Sequence, residues 1–333
     1  MSNDDKRPGI IKLWFLAIRP QTLPASLSPV AVGAAMAYSD GNRGAVLENA
    51  FVFWLFALFI QIGTNLHNDY ADFVKGADTH ERVGQARVTQ KGWLQPSEMA
   101  AGATLALACA AAVGVRLVSV GGYPMVCIVL TSLFNAVAYT GGPYPLGYIH
   151  PRLGDFSIGY LGLGDLFVLA YFGFVAVCGT YYMCSAPHLS LSYDAVWAAV
   201  PTGFLATAII VVNNLRDRKT DVKAGKLTMA VRFGATFARS EYTILVLGAF
   251  VSLLAGIPFG RSPVQSPWWV LPWLSLPMGL NRVKAIWALD GKDLNPLLGA
   301  TAKFQLLFCT LFVAAILKAE NPAGNLSAAS SLT

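Results

Sequence analysis

Charge is scarce in this chain. Only 13% of its 333 residues are Asp, Glu, Lys or Arg, about half the share in an ordinary soluble domain. That shortage excludes a string of water-exposed globular domains. Nucleic-acid binding is disfavoured as well. The net charge of +6 comes from bases held in short loops between apolar runs, a pattern of inner-membrane proteins. Cysteine is sparse too: Cys109, Cys127, Cys178, Cys184 and Cys309 are odd in number and contain no C-x-x-C pair. They read as small buried hydrophobes, not as a disulfide frame or a zinc site. No transit peptide or cleavable signal is visible in the opening M-S-N-D-D-K-R-P-G. The first apolar run is therefore expected to serve as the targeting element.

What the chain has is hydrophobic sequence, 55% of it, with a mean hydropathy of +0.53. A spanning helix needs about 20 mostly apolar residues. Nine segments qualify, at 20–38, 48–67, 97–118, 122–140, 161–183, 193–215, 240–259, 268–289 and 297–318. Prolines interrupt the first and the eighth, which membrane helices tolerate when neighbours satisfy the freed backbone groups. The expected fold is all-α: a polytopic membrane helical bundle of about nine transmembrane helices around a central cavity. It forms one domain over 1–333, with its core at about 12–318 and short polar tails. With the N-terminus inside, 19 of the 24 Lys and Arg fall in inner loops, four fall outside and Lys303 lies within the last span. The N-terminus is therefore expected in the cytoplasm, the C-terminus outside, and the protein in a bacterial inner membrane.

Two acidic motifs break the apolar pattern, and both fall on the inner face. The first is N-L-H-N-D-Y-A-D-F-V-K-G-A-D from Asn65 to Asp78; the second is N-N-L-R-D-R-K-T-D from Asn213 to Asp221. Residues three and four apart share a helix face. Asn65, Asp69 and Asp72 then form one stripe, and Asn213 or Asn214 with Asp217 and Asp221 form another. Carboxylates and carboxamides suit Mg²⁺, which takes one or two carboxylates together with substrate phosphates. Bases follow each stripe: Lys75, Arg82, Arg87 and Lys91 after the first, Lys223, Lys226 and Arg232 after the second. A magnesium-diphosphate site needs both signs, acids for the metal and bases for the oxygens that the metal leaves uncovered. Two ordinary polar loops capping spans are the alternative. Charge at the ends of two membrane helices on one face favours a site.

With these motifs in place, the chain resembles the intramembrane aromatic prenyltransferases of UbiA type, over about residues 12–318. Four stretches carry the resemblance: R-P-Q-T-L-P from Arg19; the Asn65–Asp78 motif continuing to R-V-T-Q-K-G at Arg87; G-P-Y-P-L-G-Y from Gly142 with G-L-G-D ending at Asp165; and the Asn213 motif continuing through A-G-K-L-T-M. The K-G-A-D and A-G-K-L-T patterns favour the branch that prenylates 1,4-dihydroxy-2-naphthoate over the 4-hydroxybenzoate branch. One departure is residues 149–160, which intervene where the family runs from G-Y directly into G-L-G-D. They contain a short echo, L-G-D ending at Asp155; Asp165 is the preferred family position.

The resemblance implies an enzyme that joins an allylic prenyl diphosphate to an aromatic acceptor, 1,4-dihydroxy-2-naphthoate, with loss of carbon dioxide, in quinone biosynthesis. It implies Mg²⁺ on Asp69, Asp72, Asp217 and Asp221, assisted by Asn65, Asn68 or Asn214, with Lys91, Arg87 and Lys226 on the departing diphosphate. Asp78 either joins the site or orients Lys91 or Arg87. Tyr70, Tyr139 and Tyr144 either face an allylic cation or simply pack. Arg19 either binds the acceptor carboxylate or caps the first span near anionic lipid. The bilayer is the expected surrounding, with no nucleic acid and no obligate protein partner. Two alternatives remain: a same-fold enzyme with another acceptor (4-hydroxybenzoate, homogentisate or a glycerol phosphate lipid), and a transporter with acidic gates.

Overall fold

In the computed structural model, residues 7–77, 83–84, 87–141, 157–257, 261 and 263–319 are described. Among them there is helix and no strand. A short helix, α1 (Ile10–Ala17), buries Leu13 and Ala17 and leaves Ile11 exposed. A turn at Arg19 and a 3₁₀ segment, Pro20–Thr22, lead into α2 (Pro24–Ser39). The long helices α3 (Val46–Val74) and α4 (Pro96–Gly141) follow. Glu98 helps to start α4, because its carboxylate accepts from the Gln95 N–H at 2.7 Å, half of a capping box.

Helix α4 has 46 residues, too many for a single crossing at 1.5 Å per residue. It breaks at Gly122, whose φ of 63° is open to glycine and strained for other residues. The two limbs fold back on each other: a Cβ on Gly114 would meet Val129 at 2.8 Å. Met99 and Ala103 pack in one cluster with Leu66, while Thr140 bonds Asn68, so both ends of the hairpin return to the same end of α3.

Next come α5 (Gly164–Cys184), with a π-helical stretch at Leu169–Val175, and α6 (Tyr193–Lys223). Ser192 caps α6 by accepting from the Ala195 N–H, Asp194 lies in its first turn and Lys223 in its last, as the helix dipole favours. In its most apolar window α6 is 78% buried, against 28–50% for the other long helices; it is the axis around which the bundle is built. Helix α7 (Met229–Leu254) bends at Gly234. A 3₁₀ run (Pro267–Ser275), α8 (Leu276–Ala288), a 3₁₀ turn (Gly291–Leu294) and α9 (Asn295–Ala319) complete the described helices.

Six of these helices are long and apolar enough to cross a membrane, α4 counted once. Each of the nine apolar segments of the sequence is helical over most of its described residues. The first and the eighth are the ones outside those six: α2 has only 16 residues, and 267–288 is part 3₁₀. The protein is an integral membrane helical bundle. Its core includes an aromatic cluster in which Trp197, Trp269 and Phe312 meet edge to face, and Phe250 packs on Phe304 and Phe308. At the end of α6 away from the second acidic motif, Arg261 binds Asp194 at 2.7 Å and Asp40 at 3.4 Å, and the Tyr181 hydroxyl donates to Asp40. All five cysteines are free; Cys184 and Cys309 are buried as expected, whereas Cys127 is exposed on the outer face of α4.

Helices α5 and α6 cross where Gly173 meets Gly203. A Cβ on Gly173 would lie 2.9 Å from the Gly203 Cα and 3.0 Å from the Ala199 carbonyl. Backbone cannot yield as a side-chain tip can. Gly173→Val is therefore expected to force the helices apart at a cost of about 1–3 kcal/mol, read as a lowered thermal unfolding midpoint in detergent. An unchanged midpoint would contradict this packing.

Candidate active site

Both acidic motifs sit at the C-terminal ends of long helices, α3 and α6. Helix C-termini carry partial negative charge, so carboxylates there need cations nearby. The structure supplies them. Asp72, 1% exposed, pairs with Arg87 at 2.8 Å and with Lys226 at 2.9 Å. The Tyr160 hydroxyl donates to the same carboxylate at 3.1 Å. Arg87 also donates to the Asn68 carbonyl at 2.6 Å. The Asn68 side-chain oxygen accepts from Thr140 at 2.5 Å, and Lys75 donates to the Thr140 carbonyl.

On α6, Arg216 clasps the neighbouring Asp217 with two hydrogen bonds, at 2.8 and 2.6 Å. The same guanidinium donates to Asn213 at 2.7 Å and to Asn295, the first residue of α9, at 3.2 Å. Asn295 in turn donates to the Val83 carbonyl at 3.1 Å. Asn214 donates to Asp165, in the first turn of α5, at 3.0 Å.

These groups frame one end of a cavity of about 360 Å³, within the size of small-molecule sites. Arg19, Asn65, Asn68, Asp72 and Arg87 line it, together with Tyr139, Asn213, Asn214, Asp217, Asp221 and Lys226. Its remaining wall is largely apolar and includes Phe53, Phe56, Ile60, Ile128, Phe172, Ile209 and Ile210. One ligand can therefore meet both acidic motifs at its head and hydrocarbon wall along its tail.

Other expected residues lie elsewhere. Asp69 is off the wall: Asn68 and Asp72, four apart, take the inner face, and Asp69 sits one 100° step around from Asn68. Its Oδ2 accepts the Val88 N–H at 3.3 Å, and its buried Oδ1 has no hydrogen-bond partner. Tyr70 is also outside the wall and packs with the Leu13, Leu66 and Met99 cluster. Lys91 is exposed and absent from the wall, because a tight turn, Lys91 N–H to Arg87 carbonyl, directs Arg87 inward and carries the chain away. Lys75 stands one layer back, 4.6 Å from the Tyr160 ring centroid. Asp165 likewise stands behind Asn214, which it orients. Asn65 lines the cavity, but its amide is committed to the Ile18 carbonyl and the Thr22 hydroxyl. With Gln61, which donates to the Thr22 carbonyl, it braces the turn that holds Arg19 at a left-handed φ of 54°, a backbone state that costs energy and so needs support. Asp78, Tyr144 and Asp155 lie outside the described residues.

Sequence reasoning missed Tyr160. It lies in the stretch 149–160 set aside as an intervening segment, yet it lines the cavity, is 7% exposed and carries Lys226 over its ring at 4.9 Å as well as Lys75. The signal was present: Gly159-Tyr160 runs directly into L-G-L-G-D at 161–165, the very order that the family resemblance requires. Arg216 and Asn295 were missed because they act through their neighbours.

The wall's polar groups at this end are carboxylates, carboxamides, hydroxyls and cationic nitrogens, with no thiol or imidazole among the described wall residues. Oxygen donors of this kind suit a hard divalent cation. Among the described residues no three His, Cys, Asp or Glu side chains form a ready cage, so the donor set fits a metal that takes its other ligands from a bound anion.

The UbiA prenyltransferase family profile matches residues 26–317. The 1,4-dihydroxy-2-naphthoate octaprenyltransferase of Escherichia coli is 32% identical over 306 residues, covering 91% of this chain and 94% of that one. The enzyme of the same name from Mycobacterium tuberculosis is 31% identical, covering 91% and 96%. Among solved structures, a UbiA homolog from Archaeoglobus fulgidus, bound to DMAPP and Mg²⁺, superposes with a TM-score of 0.58 at 16% identity, over 92% of this chain and 99% of that one. The chain belongs to the UbiA prenyltransferase family.

Tyr160→Phe removes one hydrogen bond to Asp72 and keeps the ring beneath both lysines, whereas Tyr160→Ala removes both. A few-fold rise in KM for prenyl diphosphate is expected for the first, and a loss at least tenfold greater for the second. Equal effects would show that the ring is not what counts.

Proposed function

We propose that the protein transfers a polyprenyl group from an allylic prenyl diphosphate to 1,4-dihydroxy-2-naphthoate within the membrane, with Mg²⁺ as cofactor, as a step in menaquinone or phylloquinone formation. The observation that carries the reading is the single cavity with two acid-and-cation clusters at one end and hydrocarbon wall beyond. The names of relatives at 31–32% identity over nine-tenths of the chain support the choice of acceptor. The Mg²⁺ and DMAPP in the Archaeoglobus fulgidus homolog support the cofactor and donor.

Asp72, Asp217 and Asp221, with Asn68 and Asn213 beside them, would hold the metal. Bound Mg²⁺ supplies Lewis-acid neutralisation of charge on the diphosphate. Arg87 and Lys226, already aimed at Asp72, hold the non-bridging oxygens and stabilise negative charge as the allylic C–O bond breaks. Tyr139, on the cavity wall, would offer its ring to the positive charge left on the allyl group, while the Tyr160 ring is already taken by Lys75 and Lys226. The apolar wall holds the tail and excludes water that would otherwise capture that carbon. The acceptor ring then forms the C–C bond to that carbon, and its carboxylate leaves as carbon dioxide, the released electron pair restoring the aromatic ring. Arg19, held rigidly at the cavity wall, is placed to bind the acceptor carboxylate.

The proposed setting is a bacterial inner membrane with this end of the cavity on the cytoplasmic side, from the bias of Lys and Arg. Alkaline phosphatase fused after residue 319 should be active, and an inactive fusion would reverse the orientation.

Membranes containing the protein should form prenylated naphthoquinol from the two substrates with Mg²⁺ and none with EDTA. Asp72→Ala and Asp217→Ala are each expected to lower kcat about 100-fold or more. Full turnover in either variant would remove the metal reading. A product formed only with 4-hydroxybenzoate would replace the acceptor.

A further inference from the structure

A hydrogen-bonded side-chain pair lies in the largely apolar part of the cavity. Asn135, on the second limb of α4, donates to the Tyr171 hydroxyl on α5 at 2.6 Å, and both residues line the cavity. Asn135 lies five positions before Thr140, which is bonded to Asn68. Tyr171 lies six positions after Asp165, which is bonded to Asn214. At 1.5 Å per residue these offsets put the pair about 7–9 Å below the acidic mouth. Tyr171 belongs to the π-helical stretch, a local irregularity that re-aims side chains and is frequent at functional sites. Phe167 stacks on it, with ring centroids 4.9 Å apart and planes 15° apart, so the two rings present a flat step.

A prenyl tail gains nothing from this pair. Covering an amide and a hydroxyl with hydrocarbon costs free energy unless their remaining capacity is used. That capacity is specific. After the mutual bond, Asn135 keeps a carbonyl acceptor and Tyr171 keeps its O–H donor; exchanging the amide's oxygen and nitrogen still leaves one donor and one acceptor. A diphosphate offers only acceptors and a hydrocarbon offers neither. A phenolic hydroxyl, itself one donor and one acceptor, matches both.

We propose that Asn135 and Tyr171 form the subsite for a ring hydroxyl of the aromatic acceptor, fixing the ring on the Phe167–Tyr171 step just below the departing diphosphate. This rests on the reading above that the acceptor is a hydroxylated aromatic. It goes further by assigning the residues that select the hydroxyl and by setting the acceptor's depth in the cavity.

The test is steady-state kinetics in membranes with the acceptor and the prenyl diphosphate varied separately, for wild type, Tyr171→Phe and Asn135→Leu. Tyr171→Phe keeps the ring and its stacking, so the fold is preserved. KM for 1,4-dihydroxy-2-naphthoate is expected to rise about tenfold in each variant, the equivalent of one lost hydrogen bond. KM for the prenyl diphosphate should stay within about twofold of wild type. An unchanged acceptor KM in Tyr171→Phe overturns the proposal, as does a rise in KM for the prenyl diphosphate alone, which would assign the pair to the tail channel. If the wild type uses 4-hydroxybenzoate in place of the naphthoate, the acceptor named above is wrong, and the pair is judged on that phenol by the same two criteria.

Discussion

Carboxylates at the negative ends of two membrane helices are the constraint from which the rest of the structure follows. Neither the helix dipole nor the bilayer favours them. They persist because cations reach them: Arg87 and Lys226, from other segments, at Asp72, and the adjacent Arg216 at Asp217. Taking either ion away from such a buried pair leaves an uncompensated charge. The segments that deliver the cations are thereby fixed in place. Residues 87–88 are fastened to α3 through Asp72, the Asn68 carbonyl and Asp69. The chain after α6 is fastened to the same carboxylate through Lys226. One side chain therefore gathers both halves of the mouth, and a multiply charged anion entering there meets cations that are already in place.

Below the mouth, packing replaces charge. The glycine crossing of α5 and α6, the folded-back α4 and the enclosed α6 bring apolar faces together around a cavity, leaving room for a tail and little for water. Some polar groups of the wall have a neighbour that sets their direction. Asp165 aims Asn214, and Gln61 with Asn65 props the strained Arg19 turn. Function at this site depends on such second contacts as much as on the groups that face the cavity.

Much of this was legible in the sequence. Apolar runs of spanning length located the long helices, and the two acidic motifs fall at matching helix ends beside the cavity. Asp72, Asp217 and Asp221 could be read from three- and four-residue spacing alone. That spacing failed for Asp69, since one 100° step around α3 separates the cavity face from its flank, and a motif string does not say which of two adjacent residues faces in. Lys91 could not be placed because its direction depends on a loop turn with no periodicity. Tyr160 lies in a turn, where no helical period marks which residue faces the cavity. Arg216 and Asn295 act across 79 residues of chain, a distance over which a single sequence carries no pairing signal.

That last contact has a temporal meaning. Chains are made and inserted from the N-terminus, so early segments wait for late ones. Asn295 opens the final helix, and its side chain joins Arg216 to the Val83 carbonyl. Until the ribosome has delivered α9, the clasp around Asp217 lacks this brace and the peptide at Val83 has no anchor there. Assembly of the mouth is thus complete only once α9 is in place.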